Sequence, residues 1–98
     1  MINIELSIRA KDDLDDGYLF YESQEFGLGD YFSSNLKSDI EGLKISAGIH
    51  RVVFKDYHRL LSKVFPYAIY YTLKDNHVII WAVIDCRRNP EWIRGYLT

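Results

Sequence analysis

The chain reads as an α+β fold: an N-terminal strand, a helical hairpin, then a three- or four-stranded mostly antiparallel sheet and a short C-terminal helix. Three observations predict it. Ile2, Ile4, Leu6 and Ile8 alternate with Asn3, Glu5 and Ser7, the period of a strand with one buried face. Leu28, Phe32, Leu36, Ile40 and Leu43 recur in steps of four, four, four and three, the period of a helix with one apolar stripe. From His50 onward, β-branched and aromatic residues dominate, as they do in strands.

The elements follow in order. After the first strand, Leu14, Tyr18 and Tyr21 form the apolar part of a helical stripe that ends at Glu25. Asp12, Asp13, Asp15 and Asp16 fall in its first turns, where the helix dipole favours negative charge. Phe26-Gly27-Leu28-Gly29 interrupts the pattern before the second helix, and Gly48 fits a stop signal after it. The two helices therefore form a hairpin with both stripes on the sheet. Segments 50–54 and 58–65 read either as one bent strand or as two strands separated by Lys55-Asp56-Tyr57. Residues 67–73 and 77–85 are strands joined by Lys74-Asp75-Asn76, which is turn chemistry. Residues 78–84 have no polar member, which predicts a central strand covered on both faces. Asn89 caps and Pro90 opens a last helix over 91–97, with Trp92 expected to dock it onto the sheet.

All 98 residues are read as one domain, long enough to bury about 60–70% of its unfolded surface. With 48% hydrophobic and 27% charged residues, the chain is neither a disordered tail nor a membrane protein. Its longest apolar run is seven residues, against about 20 for a bilayer span. The N-terminus alternates and then turns acidic, unlike a signal peptide. A cytoplasmic protein is expected, in accord with a single cysteine, Cys86, that allows no internal disulfide. The net charge of −2 hides a division. Residues 1–49 hold ten acidic side chains against Arg9, Lys11, Lys37 and Lys44, a net −6; residues 50–98 hold eight basic against four acidic, a net +4. An anionic partner would be steered to the second half.

Several residues bear two readings. Arg87 and Arg88 either bind an anionic partner or pair with carboxylates such as Asp85 and Glu91. Tyr67, Tyr70 and Tyr71 suit packing or a stacking platform. Cys86 reads as a small buried apolar residue. His50, His58 and His77 show no metal-ligand spacing with Cys86, and no phosphate-cradling glycine motif occurs, so neither metal nor cofactor is expected.

The order of elements, with Phe65-Pro66-Tyr67-Ala68-Ile69-Tyr70-Tyr71 and Ala82-Val83-Ile84-Asp85-Cys86-Arg87-Arg88-Asn89-Pro90, resembles the RelE/ParE family of toxins from type II toxin-antitoxin modules. The resemblance spans nearly the whole chain. It implies a toxin silenced by a cognate antitoxin, with a homodimer or a heterotetramer with the antitoxin as the assemblies to consider. The implied antitoxin-binding residues are Tyr18, Tyr21, Phe32 and Tyr67.

Two branches of the family imply different targets. RelE-like members cut messenger RNA on the ribosome, which without a metal needs a base, an acid and cationic groups for the phosphate. By approximate matching, their lysines fall at His58 and Leu60, their arginines at Tyr67 and Arg87, and their tyrosine at Ile93; only Arg87 is kept in kind. A rearranged nuclease site would use His58, Arg59, Lys63 and Arg87. The Phe-Pro-Tyr-x-Ile-Tyr-Tyr pattern and the Arg-Arg-x-Pro close are instead similar to ParE-like members, which inhibit DNA gyrase by binding. Many of those carry histidine where Asp85 stands. That branch is preferred here, with Arg87, Arg88, Arg94, Tyr67, Tyr71 and Trp92 as target- or anion-binding residues. A third reading is a degenerate member that binds its antitoxin and is not toxic.

Overall fold

The computed structural model describes residues 1–98. In chain order it holds β1 (Asn3–Leu6), α1 (Ile8–Gln24), α2 (Leu28–Glu41), a single-turn α3 (Leu43–Ser46), β2 (Val52–Phe54), β3 (Tyr57–Leu61), β4 (Tyr67–Lys74), β5 (His77–Asp85) and α4 (Pro90–Leu97). The strands form one five-stranded sheet in the order β1-β5-β4-β3-β2. β1 runs parallel to β5, and the other neighbours are antiparallel. Residues 50–65 thus form two strands, and four antiparallel strands carry β1 on one edge.

Local chemistry sets the connections. Ser7 ends β1 and caps α1: its hydroxyl accepts the Ala10 N–H at 3.0 Å and donates to the Trp81 carbonyl at 3.0 Å. Asp75 and Asn76 both sit at positive φ, 50° and 64°, giving the two-residue hairpin turn whose twist matches the strands it joins. At the helical hairpin the Glu22 carboxylate accepts the Gly27 N–H at 3.1 Å and the Gly29 N–H at 2.9 Å. It thereby serves donors at the start of α2, whose Gly27 cap offers no side chain. The two helices approach so closely that a Cβ on Gly17 would lie 2.5 Å from the Phe32 ring.

The sheet buries a different core on each face. Toward the hairpin, Phe32, Leu36, Ile40 and Leu43 meet Ile69, Tyr71, Val78, Ile80 and Val83. Toward α4, Ala68, Tyr70, Ala82 and Ile84 meet Leu97. On β5 the hairpin-facing residues step from Ile80 to Val83, three positions where a regular strand allows two. A bulge accounts for it: Tyr71 pairs with Ile80 and Tyr70 with Ala82, leaving Trp81 as the extra residue.

Several expectations change. Ile8 opens α1 and is exposed, not part of the alternating strand, so Asp12, Asp13, Asp15 and Asp16 fall beyond the first turn of that helix. β5 is interior only from His77 to Ile80, because β1 is four residues long; beyond Ile80 its outer edge is open. Cys86 is exposed, not buried, since it follows the end of β5 and enters the turn to α4. α4 docks through Ile93, Tyr96 and Leu97, not Trp92. Leu97 and Ile93 lie one turn apart facing the sheet, and Trp92 falls on the neighbouring flank. No helix is long and apolar enough to cross a membrane.

Candidate functional site

The residues singled out by sequence gather around α4 and the end of β5. Asn89 starts the helix, its Oδ1 accepting the Glu91 N–H at 2.7 Å, and Pro90 occupies the first turn. The far end is tied down three times, once by Arg9, whose guanidinium donates to the Tyr96 carbonyl. The Tyr57 hydroxyl donates to the Leu97 carbonyl at 2.8 Å, and the Tyr96 hydroxyl donates to Asp13 on α1. Asp13 also accepts the Val83 N–H at 2.9 Å. Its carboxylate thus stands where a neighbouring strand's carbonyl would be, on the stretch of β5 that β1 fails to cover. Burial raises the Asp13 pKa against the lowering effect of these hydrogen bonds, and it pushes the Tyr96 phenol up to about 12, with the Asp13 hydrogen bond adding to the rise.

Outside the helix runs a stack of rings and cations. The Arg88 guanidinium lies 4.2 Å from the Trp92 ring centroid, Trp92 stacks on Tyr96 at 4.9 Å, and Arg9 covers Tyr96 at 4.5 Å. Each cation over a ring gains from the ring's quadrupole. Arg87 behaves differently. Its Nε and Nη2 donate to the two oxygens of Asp85 at 2.9 and 2.6 Å, and its backbone N–H adds a third bond to Asp85. These bonds hold the Asp85 carboxyl below the usual carboxylate range and raise the Arg87 guanidinium. The pairing reading therefore describes Arg87 but not Arg88, which forms no ion pair; the protein has only two, Arg87–Asp85 and Lys44–Glu41.

Two concavities flank α4. On the sheet side a hollow of about 210 Å³ is lined by Arg59, Arg88 and Arg94 with Tyr70, Cys86, Val53, Phe54 and Ile93. Burial raises the Tyr70 pKa while the neighbouring Arg59 guanidinium lowers it. On the other side a groove of about 440 Å³ follows the open edge of β5, between Asp13, Asp16 and Phe20 of α1 and Tyr67, Arg88 and Trp92. Arg88 borders both.

The remaining candidates lie apart from these hollows. Tyr71 is fully buried; its hydroxyl accepts the Gly48 N–H at 3.0 Å and meets His50 Nδ1 at 2.6 Å. His58 pairs with Tyr71 across the strands, stacks on its ring at 4.9 Å, and places Nδ1 2.7 Å from the His50 carbonyl. His58 therefore sits on the hairpin face, whereas Arg59, paired with Tyr70, faces α4. Lys63 is exposed in the β3–β4 connection. The set His58, Arg59, Lys63 and Arg87 is not assembled on one face. Phe32 is fully buried, and Tyr21 and Tyr67 are partly buried in one aromatic cluster with it; burial pushes Tyr67 up to about 12. Tyr18 is half-buried against Gly29. Sequence reasoning missed the role of Asp13, whose partners are 70 and 83 residues away, a separation that no local spacing encodes.

Neither a family model nor a curated protein matches the chain by sequence. Its backbone is nonetheless similar to solved structures of toxins. The chromosomal ParDE toxin-antitoxin system of P. aeruginosa aligns at 14% identity with a TM-score of 0.74, covering 87% of this chain and 96% of that one. The isolated E. coli RelE toxin aligns at 15% identity with a TM-score of 0.65, covering 97% and 95%. A chain of the YoeB-YefM complex from Staphylococcus aureus aligns at 15% identity with a TM-score of 0.55, covering 85% and 94%. The chain has the RelE/ParE toxin fold.

Proposed function

We propose that the protein is the toxin of a type II toxin-antitoxin module, that it acts by binding DNA gyrase in the cytoplasm, and that a cognate antitoxin protein neutralises it. One observation carries the choice of a binding toxin over a nuclease: the sheet face beside α4 presents Arg59, Arg88 and Arg94 without an acid-base partner. Arginine stays protonated and can stabilise phosphate charge, but it moves no proton near neutral pH. Tyr70 is raised further from neutrality, and the two hydrogen-bonded imidazoles, His50 and His58, are engaged on the opposite face. The similarity to ParDE and RelE structures supports the toxin fold that both branches share. Contact with the target is assigned to Arg88, Arg94 and Trp92 at the rim, with Tyr67 at the groove floor.

The test is a supercoiling assay with purified protein at micromolar concentration. Inhibition is expected, and it should weaken at least tenfold in an Arg88→Gln, Arg94→Gln variant. Untouched supercoiling together with cleavage of translated message in a primer-extension assay would overturn the reading in favour of a RelE-type nuclease.

A further inference from the structure

We infer that the outer edge of β1 pairs antiparallel with β1 of a second copy of this chain, in a register centred on Ile4, so that two five-stranded sheets join into one. This goes beyond the toxin reading and does not depend on the target.

The backbone sets the register. The Asn3 N–H donates to the Asn76 carbonyl and the Ser7 N–H to the Ile80 carbonyl, so Asn3, Glu5 and Ser7 turn their backbone groups toward β5. Alternation then turns the N–H and C=O of Ile2, Ile4 and Leu6 outward. No strand lies beyond β1, and none of these outward groups finds a partner in a turn or cap. A two-fold axis at Ile4 satisfies them in pairs. Ile4 meets Ile4 of the second copy and Ile2 meets its Leu6, each exchanging both backbone hydrogen bonds.

The side chains agree with that register. Ile2, Ile4 and Leu6 are half-buried on the hairpin side, so the pairing sets apolar against apolar and continues the core across the axis. Asn3 and Glu5 are exposed on the other side. The same register puts the Asn3 amide of each copy opposite the Glu5 carboxylate of the other, donor against acceptor. Ile45, 95% exposed on α3, adds apolar surface beside β1, against which that helix packs.

The other edge of the sheet lacks this match. β2 has three residues and an irregular register with β3. Paired with itself about Val53, it would oppose Arg51 to Lys55 on both sides of the axis, and like charges directly opposite are destabilising. An open edge is a template for another strand; β1 is the edge whose sequence is complementary to itself.

Sedimentation equilibrium on the purified full chain tests the inference. The mass should rise from that of one chain toward that of two between about 1 and 200 µM, the range of a small interface. Ile4→Pro deletes the central outward N–H without touching a bond to β5, a change that edge strands accept, and should weaken the dimer about tenfold or more by removing both central hydrogen bonds. Asn3→Lys sets an ammonium opposite the Glu5 carboxylate and should tighten the dimer about threefold, while Asn3→Asp sets a second carboxylate there and should weaken it by as much. Asn3 is exposed, so its variants keep the test open if Ile4→Pro fails to fold. A chain that stays monomeric throughout this range, or a dimer indifferent to both Asn3 substitutions, would overturn the inference.

Discussion

Tyr71 shows how one buried hydroxyl joins two segments of the chain. Its oxygen accepts the Gly48 N–H at 3.0 Å and shares a hydrogen bond of 2.6 Å with His50 Nδ1. Burial first and the neighbouring His58 second lower the His50 pKa below its ordinary value of 6.5. The unfolded chain therefore binds more protons than the folded one between that lowered value and 6.5, and stability rises with pH across this window. Urea denaturation should show full stability above about pH 6.5 and a decline as the pH falls below it, in line with the ordinary imidazole value. Tyr71→Phe should cost about 1–3 kcal/mol by orphaning two polar groups and should shallow the acid decline. Gly17 is a second residue whose identity is imposed by contact. Alanine there gains up to about 1 kcal/mol of helix propensity, but its Cβ would lie 2.5 Å from the Phe32 ring in a fully buried core. Overpacking costs about 1–3 kcal/mol, so Gly17→Ala should lower the thermal midpoint.

Of the three longer helices, α4 has the fewest buried residues: of its eight only Leu97 is buried. Its position therefore depends on polar ties, the Tyr57–Leu97, Tyr96–Asp13 and Arg9–Tyr96 bonds. Asp13→Ala removes two partners at once, leaving Val83 N–H and the Tyr96 hydroxyl unpaired. A stability loss of about 2–4 kcal/mol is expected from two such bonds, with faster amide exchange in residues 90–97 than in β4. Uniform protection across the chain would show that α4 is held by something else. The elements themselves were largely legible. Steps of four from Leu28 to Ile40 placed the second helix, whereas Leu43 falls in α3 beyond Gly42, and Lys74-Asp75-Asn76 placed the β4–β5 turn, because both signals are local. The extent of β5's exposed edge was not legible, because it depends on β1 ending at Leu6, in a strand paired across more than 70 residues.

At the scale of the molecule, the charge division read from the sequence acquires a place. The acidic first half builds β1 and the hairpin, and the basic second half builds the antiparallel strands and α4. β1 and the helices of the hairpin thus carry a net negative charge and the antiparallel strands with α4 a net positive one, an arrangement that orients an approaching acidic partner before contact and loses that influence as salt shortens the Debye length. The candidate site was legible only as a region. Sequence pointed to the arginines after β5, but it could not tell Arg87, locked to Asp85, from Arg88, free over Trp92, since adjacent residues turn to different neighbours. It also set His58 beside Arg59, where the pleat sends them to opposite faces.

The bulge at Trp81 has a consequence for how the gene can vary. Upstream of it odd and even positions mean one thing, and downstream they mean the reverse: Ile80 and Val83 share a side, as do Ala82 and Ile84. Losing the Trp81 codon would join Ile80 to Ala82 in strict alternation, leaving Ile80 and Val83 with the large helices and Ala82 and Ile84 with the small one, so a deletion of one amino acid there would keep both interiors sorted, whereas one within β4 would turn half of that strand over.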